Sequence, residues 1–266
     1  MISFSSKTTQ ETMRIVSLQS GSNGNCIFIE TRNTRLLFDA GISAKRARER
    51  LEFHGIDIRS ADALLISHDH SDHAGNMGVF SRKFELPIWV TKQTYQAAGT
   101  KKHLGEIAQL HHFTSGETLQ IGDVRIETIR TPHDAADGVA FIVDNGHVRF
   151  GIMTDLGHPF HDLKEAVQSL DAVLLESNYD PHKLQHCGYS EETKARISGK
   201  GGHISNEEAA KLLESAKSNL RWACLGHISA ESNHPDLVSQ THKKILGESL
   251  PFYIASRYEV SDMFFL

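Results

Sequence analysis

Ser67-His68-Asp69-His70-Ser71-Asp72-His73 directly follows the apolar run Ala63-Leu64-Leu65-Ile66, and its His-x-His-x-Asp-His pattern governs how the rest of the chain is read. A strand that ends abruptly on polar residues turns alternate side chains the same way, so His68 and His70 can reach one ion. Asp72 and His73, one turn further on, can then face a second. Neutral imidazoles and carboxylates suit zinc, manganese or iron, and no thiolate is required. Four protein groups cannot saturate two ions, so further ligands must come from elsewhere in the chain.

Three later residues sit where a ligand could. His133 follows the strand-like run Val124–Arg130, Asp155 follows Arg149–Met153, and His227 follows Trp222–Gly226. Each lies just past the end of a strand, as a shared site at one edge of a sheet requires. Strands are also expected at Arg14–Leu18, Cys26–Glu30, Arg35–Asp39, Ala63–Ser67, Ile88–Val90, Thr118–Ile121, Ala140–Val143 and Ala172–Glu176. Helices are expected at Ala44–Phe53, Leu163–Leu170, Asn206–Ala216 and Pro235–Leu246. Strands in runs of two or three, with helices between the runs and at the end, predict an α+β protein with two packed sheets and helices outside.

The chain has 266 residues, 39% of them hydrophobic, enough for one large domain or two small ones without disulfides. No apolar run approaches the roughly 20 residues that cross a bilayer. The polar start, MISFSSKTTQETM, lacks the apolar core of a secretory signal, and residues 1–12 read as a disordered tail or a misplaced start before Met13. Three cysteines, Cys26, Cys187 and Cys224, show no paired spacing, which predicts a reducing, cytoplasmic setting. Net charge is −5 with no basic tract, which lowers the expectation of a broad duplex-binding face. The 17 histidines exceed what a structural protein needs and are not clustered as a tag.

In this order of motifs the chain resembles the metallo-β-lactamase superfamily. Asp39 in Phe38-Asp39-Ala40-Gly41 matches its first motif and His-x-His-x-Asp-His its second, while His133, Asp155 and His227 match the third to fifth. The resemblance runs from about Met13 to the C-terminus and implies a single hydrolase domain over 13–266, an αββα sandwich of two mixed β-sheets flanked by helices. It also implies that His68, His70 and His133 hold one ion and Asp72, His73 and His227 the other, with Asp155 and a hydroxide bridging them. Asp39 becomes structural support behind the metals. Gly21-Ser22-Asn23-Gly24-Asn25, Glu176-Ser177-Asn178-Tyr179-Asp180, Gly202-His203-Ile204-Ser205-Asn206 and His227-Ile228-Ser229 resemble the WalJ (YycJ) branch of exonucleases. Ser232 and Ser190 depart from that branch, where an asparagine and a proline are usual. The interval from Asp155 to His227 is too short for the nucleic-acid-clamping domain of larger RNA-processing members. His70 stands where oxygen-reducing diiron members carry an acid, which favours hydrolysis.

The expected reaction is phosphodiester hydrolysis, with DNA cut from a 5′ end; polymer and polarity come from the branch resemblance alone. Asp72 and His203 are the catalytic candidates, His203 because it is expected to open a helix whose N-terminal amides favour anions. Ser22, Asn23, Asn25, Asn178, His203 and Ser229 are the candidate substrate contacts. Plainer readings stand beside these: a helix-cap histidine at 203, a hairpin turn at Ser20–Asn25, a surface loop rather than a second metal site at Asp180, His182, His186 and Cys187, and a solvated basic helix at Lys45, Arg46, Arg48 and Arg50. The rival substrates are a thioester, a lactone or a small cyclic phosphodiester, and the rival class is a metal-binding regulator without turnover.

Overall fold

Neighbouring residues along the central strands enter different cores, and this alternation defines the layers. Ile27 and Ile29, Leu36 and Phe38, and Leu174 and Cys224 meet between the two sheets. Phe28, Leu37 and Leu64 point the other way, against helices on one outer face, and Val173, Leu175 and Ala223 against helices on the opposite face. Strands buried on both faces have no polar side to show, which is why they read as continuous apolar runs. The structure, a computed structural model, describes residues 13–266, so the expectation for residues 1–12 lies outside the described residues.

The first sheet holds β1 (Arg14–Gln19), β2 (Cys26–Glu30), β3 (Arg35–Phe38), β4 (Ala63–Leu65), β5 (Ile88–Thr91) and β6 (Leu110–Phe113) in that spatial order. The second runs from β7 (Thr118–Ile121) through β8 (Val124–Arg130), β9 (Val139–Asp144), β10 (Arg149–Met153), β11 (Ala172–Glu176) and β12 (Trp222–Gly226) to β13 (Phe252–Ile254). A last short strand, β14 (Phe264–Phe265), returns to pair with β1. Each sheet mixes antiparallel hairpins with parallel neighbours, the latter being β3 to β6 in one sheet and β10 to β13 in the other. This is the αββα sandwich, with Ala44–Phe53, Asn206–Ala216 and Pro235–Leu246 forming helices over the expected residues.

Several elements differ from expectation. Leu110–Phe113, Phe252–Ile254 and Phe264–Phe265 are strands that sequence periodicity did not single out. They are two to four residues long and lie at sheet edges, where one face meets solvent and the apolar signal is diluted. Asp180 to Cys187, read as a surface loop, contains a short helix, Pro181–His186, with Asp180 as its N-cap. The basic helix Ala44–Phe53 is not wholly solvated, since Arg50 turns in to donate to Leu18 O and Gln19 Oε1, both at 2.6 Å. Cys26 and Cys224 are buried and all three cysteines are free. Among the described residues no helix is long and apolar enough to cross a membrane.

The parallel strands bring their carboxyl ends to one edge of the sandwich, and the loops leaving those ends interlock. Ala40 N donates to His73 O at 2.6 Å, Asn25 N to Asp72 O at 2.8 Å and Gly41 N to Asn25 O at 2.9 Å. Gly41 sits where the three loops meet, and a Cβ there would lie 1.7 Å from Asp72 O and 2.5 Å from Asn25 N. A Gly41→Ala protein is therefore expected to lose about 1–3 kcal/mol of stability, as overpacked sites do. A lowered denaturation midpoint with reduced metal uptake is the expected measurement; wild-type values for both would contradict this account of the loop junction.

Candidate metal centre

Three of the four non-glycine residues with positive φ among the described residues belong to the loops at this edge: Asp39 (φ 62°), Asp155 (56°) and His227 (52°). Asp39 and His227 each immediately follow a strand, and Asp155 comes two residues after one. The left-handed turn bends the backbone so that the side chain folds back over the strand ends instead of continuing outward. Asp and His tolerate this region better than most residues, yet it costs of order 1–3 kcal/mol where observed. Such strain persists only where surrounding contacts hold it.

The side chains converge in overlapping sets, one of which joins His68, His73 and Asp155. His68, His70 and His133 each offer an atom within 4.8 Å of the others, and so do Asp72, His73 and His227. Asp155 lies between them, with Oδ1 3.4 Å from His133 Nε2 and 3.7 Å from His227 Nε2, and Oδ2 3.1 Å from His73 Nε2. His68, His73, His133, Asp155 and His227 are buried, whereas His70 and Asp72 are half-buried at the mouth.

Four of the imidazoles have Nδ1 bonded outward to the protein. His73 Nδ1 donates to Asp39 Oδ2 at 2.7 Å, His133 Nδ1 to Gly202 O at 2.8 Å, His227 Nδ1 to Glu176 Oε1 at 3.1 Å, and His68 Nδ1 to Ser67 Oγ at 3.0 Å. Fixing Nδ1 as donor leaves the Nε2 lone pair facing inward, the arrangement that a metal-ligating histidine needs. His68 Nε2, His227 Nε2 and Asp155 Oδ2 are buried with no hydrogen-bond partner. Buried polar atoms left without partners are costly in an ordinary core. The nitrogen- and carboxylate-rich donor set therefore fits a pair of divalent cations.

The charges support the same conclusion. Burial opposes a proton on His73, but Asp155, Asp39 and Asp72 outweigh it and hold its pKa well above the ordinary histidine range. Burial likewise opposes charge on His227, but Asp155, Asp72 and Glu176 push it up to about 10. Burial alone would raise Asp155, which the imidazoles of His227, His73 and His68 instead hold well below the usual carboxylate range. His68 is pushed well down by burial and by His73, which outweigh the opposing pull of Asp155. Protons on His73 and His227 thus stand in for the cations.

The structure separates the other expected residues. Asp39 lies behind the cluster, accepting from Ser67 N at 2.8 Å, Ser67 Oγ at 2.9 Å and His73. His203 does not open a helix: Ser205 caps Asn206–Ala216 with a capping box, and His203 instead donates Nδ1 to Glu176 Oε1 at 2.6 Å. Its ring centroid is 5.0 Å from that of His133 and 5.3 Å from that of His227. Asn178 turns its amide to His227 O at 2.8 Å, and Asn25 turns its amide to Gly21 O and lies 2.9 Å from His73 Nε2. Both amides are engaged inside the protein. Ser229 Oγ accepts from Ser232 N, and Ser22 and Asn23 are exposed on the adjoining turn.

Glu176 is the functional residue that sequence reading overlooked. It is fully buried, its Oε1 accepts from both His203 and His227, and its Oε2 accepts from Leu156 N and Ile204 N. Burial favours its neutral form, but His203 and His227 hold its pKa down to about 2. Its signal was available, because it is a carboxylate ending an apolar strand like the ligands themselves.

The fold and site agree with known proteins. The description "Beta-lactamase superfamily domain" matches residues 34–228. The exodeoxyribonuclease WalJ of Streptococcus pneumoniae is 33% identical over 245 residues, spanning 89% of this chain and 91% of that protein. The exodeoxyribonuclease YycJ of Bacillus anthracis is 30% identical over 249 residues, spanning 92% and 93%. In structure, the metallo-β-lactamase fold protein YhfI of Bacillus subtilis superimposes with a TM-score of 0.72 at 16% identity, covering 95% of this chain and 99% of that one. The chain belongs to the beta-lactamase superfamily and, within it, to the branch of the WalJ and YycJ exodeoxyribonucleases. It is a hydrolase of the metallo-β-lactamase fold.

Metal binding requires neutral imidazoles, so loading the site must displace the protons on His73 and His227. At pH 7 the heat of metal binding is expected to vary with the ionisation enthalpy of the buffer, and affinity to rise with pH towards about 10. For the metal-free protein the signs are opposite for the two kinds of group. The histidines, with raised pKa, stabilise fully below about 6.5 and lose this as pH rises through the folded value. Glu176, with a depressed pKa, stabilises above about 4.5 and loses this as pH falls towards about 2. Calorimetry in two buffers that shows no proton release on metal binding would overturn this charge assignment.

Proposed function

We propose that this hydrolase is a two-metal DNA exonuclease that works from the 5′ end. The observation that carries the reading is the buried pair of donor sets in a chain aligned along nine-tenths of its length with exodeoxyribonucleases. In this reading His68, His70 and His133 would hold one divalent ion and Asp72, His73 and His227 the other, with Asp155 between the two donor groups. Zinc or manganese suits this nitrogen-rich set, and iron is a further candidate. When bound, such a pair supplies a nucleophile at neutral pH and positive charge opposite the phosphate.

The chain's own groups do the rest. Asp155 and its neighbouring imidazoles keep the centre nearly dry, which strengthens every charge interaction within it. Asp72 has part of its surface open to solvent, so its second oxygen can orient the attacking water. His203 is fixed through Nδ1 by Glu176, leaving Nε2 to carry a proton to the departing oxygen of the phosphodiester. With Glu176 buried and bonded on both oxygens, the imidazole has one ring orientation available. With a net charge of −5, cations at the centre would favour the approach of a polyanion.

The expected outcome with Mn²⁺ or Zn²⁺ is shortening of a 5′-phosphorylated DNA duplex from the phosphorylated end, slower on a 5′-hydroxyl duplex and absent in the His68→Ala/Asp72→Ala protein. End-labelled strands on a gel distinguish the two directions. No cleavage by a protein carrying two metals would exclude DNA as the substrate. His203→Ala is expected to slow turnover by about 10²–10⁴-fold with metal content unchanged. A loss of metal in that variant would make His203 a ligand.

A further inference from the structure

Beside the metal centre lies a cavity of about 500 Å³, walled by Ile228, Ala230, Pro235, Ile254 and Ala255 and bordered by Arg257 and Tyr258. Its wall begins at the residue after His227, so the same loop serves the metal centre and the cavity. On the other side, Arg257 packs against Gly21, whose added Cβ would fall 2.8 Å from Arg257 Cγ. Gly21 opens the turn that ends at Asn25, which lies against His73.

Two features of this border stand out, the Tyr258 ring and the Arg257 guanidinium, which lies over that ring at 6.0 Å. Tyr258 is 69% exposed, yet its backbone is fixed: its N–H donates to Ser256 Oγ at 3.1 Å and its carbonyl accepts from Arg50. The carbonyls of Ser256 and Arg257 are likewise held, by Ser20 N at 3.1 Å and Asn23 Nδ2 at 3.0 Å. An aromatic ring held out to solvent on an anchored loop has paid the ordering entropy of a binding surface in advance. Arg257 donates Nη1 to Ile228 O at 2.6 Å, but its Nε is buried without a partner, and no carboxylate pairs with it among the described residues. A half-buried guanidinium without a counter-ion, beside an apolar cavity with an aromatic rim, fits a ligand with one flat apolar part and one anionic part.

The geometry points to a nucleotide subsite, in which a nucleobase of the substrate enters the cavity against Tyr258 while an adjoining phosphate faces Arg257. This rests on the exonuclease reading above and adds what grips the strand next to the cleaved bond. Stacking on an aromatic side chain accepts any base.

Calorimetry on the metal-loaded protein with dAMP and with deoxyribose 5-phosphate isolates the base, because both ligands carry the same phosphate. The expected result is binding of dAMP about tenfold tighter than the base-less ligand. In Tyr258→Ala that difference should disappear, and in Tyr258→Phe it should remain. Equal binding of the two ligands by the wild-type protein would overturn the proposal. So would a preference for dAMP that survives in Tyr258→Ala. A Tyr258-dependent preference in a protein that shortens no DNA would remove the exonuclease reading and still support the nucleotide subsite.

Discussion

Everything at the active edge depends on a set of buried donor atoms that the protein itself does not satisfy. His68 Nε2, His227 Nε2 and Asp155 Oδ2 are buried with no hydrogen bond. In a core built only for stability, such atoms would be replaced by apolar groups or paired. Here four rings are bonded on their outer side, and the inner nitrogens of His68 and His227 are left open, an arrangement suited to binding cations. Protons on His73 and His227 balance the buried carboxylates in the metal-free protein. They must leave when metal arrives, which couples occupancy of the site to pH.

The sandwich contributes rigidity and a shared edge. Ligands arrive from both sheets: His68, His70, Asp72 and His73 follow β4, while His133, Asp155 and His227 follow strands of the other sheet. Bonds that cross between sheets hold the two halves in register. His227 N donates to Ser20 Oγ at 2.9 Å, and Val139 N donates to Ser67 O at 3.1 Å. Behind the second sheet, Asn206 and Asn233 share hydrogen bonds with one another and with Ser177, tying the loop after Glu176 to the loop after His227. This polar network is buried and its amides are engaged, the condition under which such networks specify a single arrangement. The left-handed turns at Asp39, Asp155 and His227 can then be held against their intrinsic cost.

Glu176 ties the donor set to His203. One buried carboxylate oxygen accepts from a histidine of the donor set and from the histidine read as proton donor, so His227 and His203 share a single anchor. Any change that moves Glu176 therefore moves both groups together.

Much of this was legible in the linear chain because the determining signals are local. The run Ser67 to His73 carries its own spacing, and the apolar strands ending in His, Asp or Glu mark one edge without any knowledge of the packing. Helices such as Asn206–Ala216 and Pro235–Leu246 announce themselves through caps and periodicity. The short edge strands, the inward turn of Arg50 and the burial of Asn25 and Asn178 depend on neighbours distant in sequence, and no local pattern encodes them. The same holds for His203, which reads locally as a helix opener but is claimed by a carboxylate 27 residues earlier. The sequence by itself determined which residues could bind metal and that they stand at strand ends. Only the tertiary structure decided which nitrogen of each ring faces inward, because that choice is made by an outer partner such as Asp39, Gly202 or Glu176 brought there by the fold.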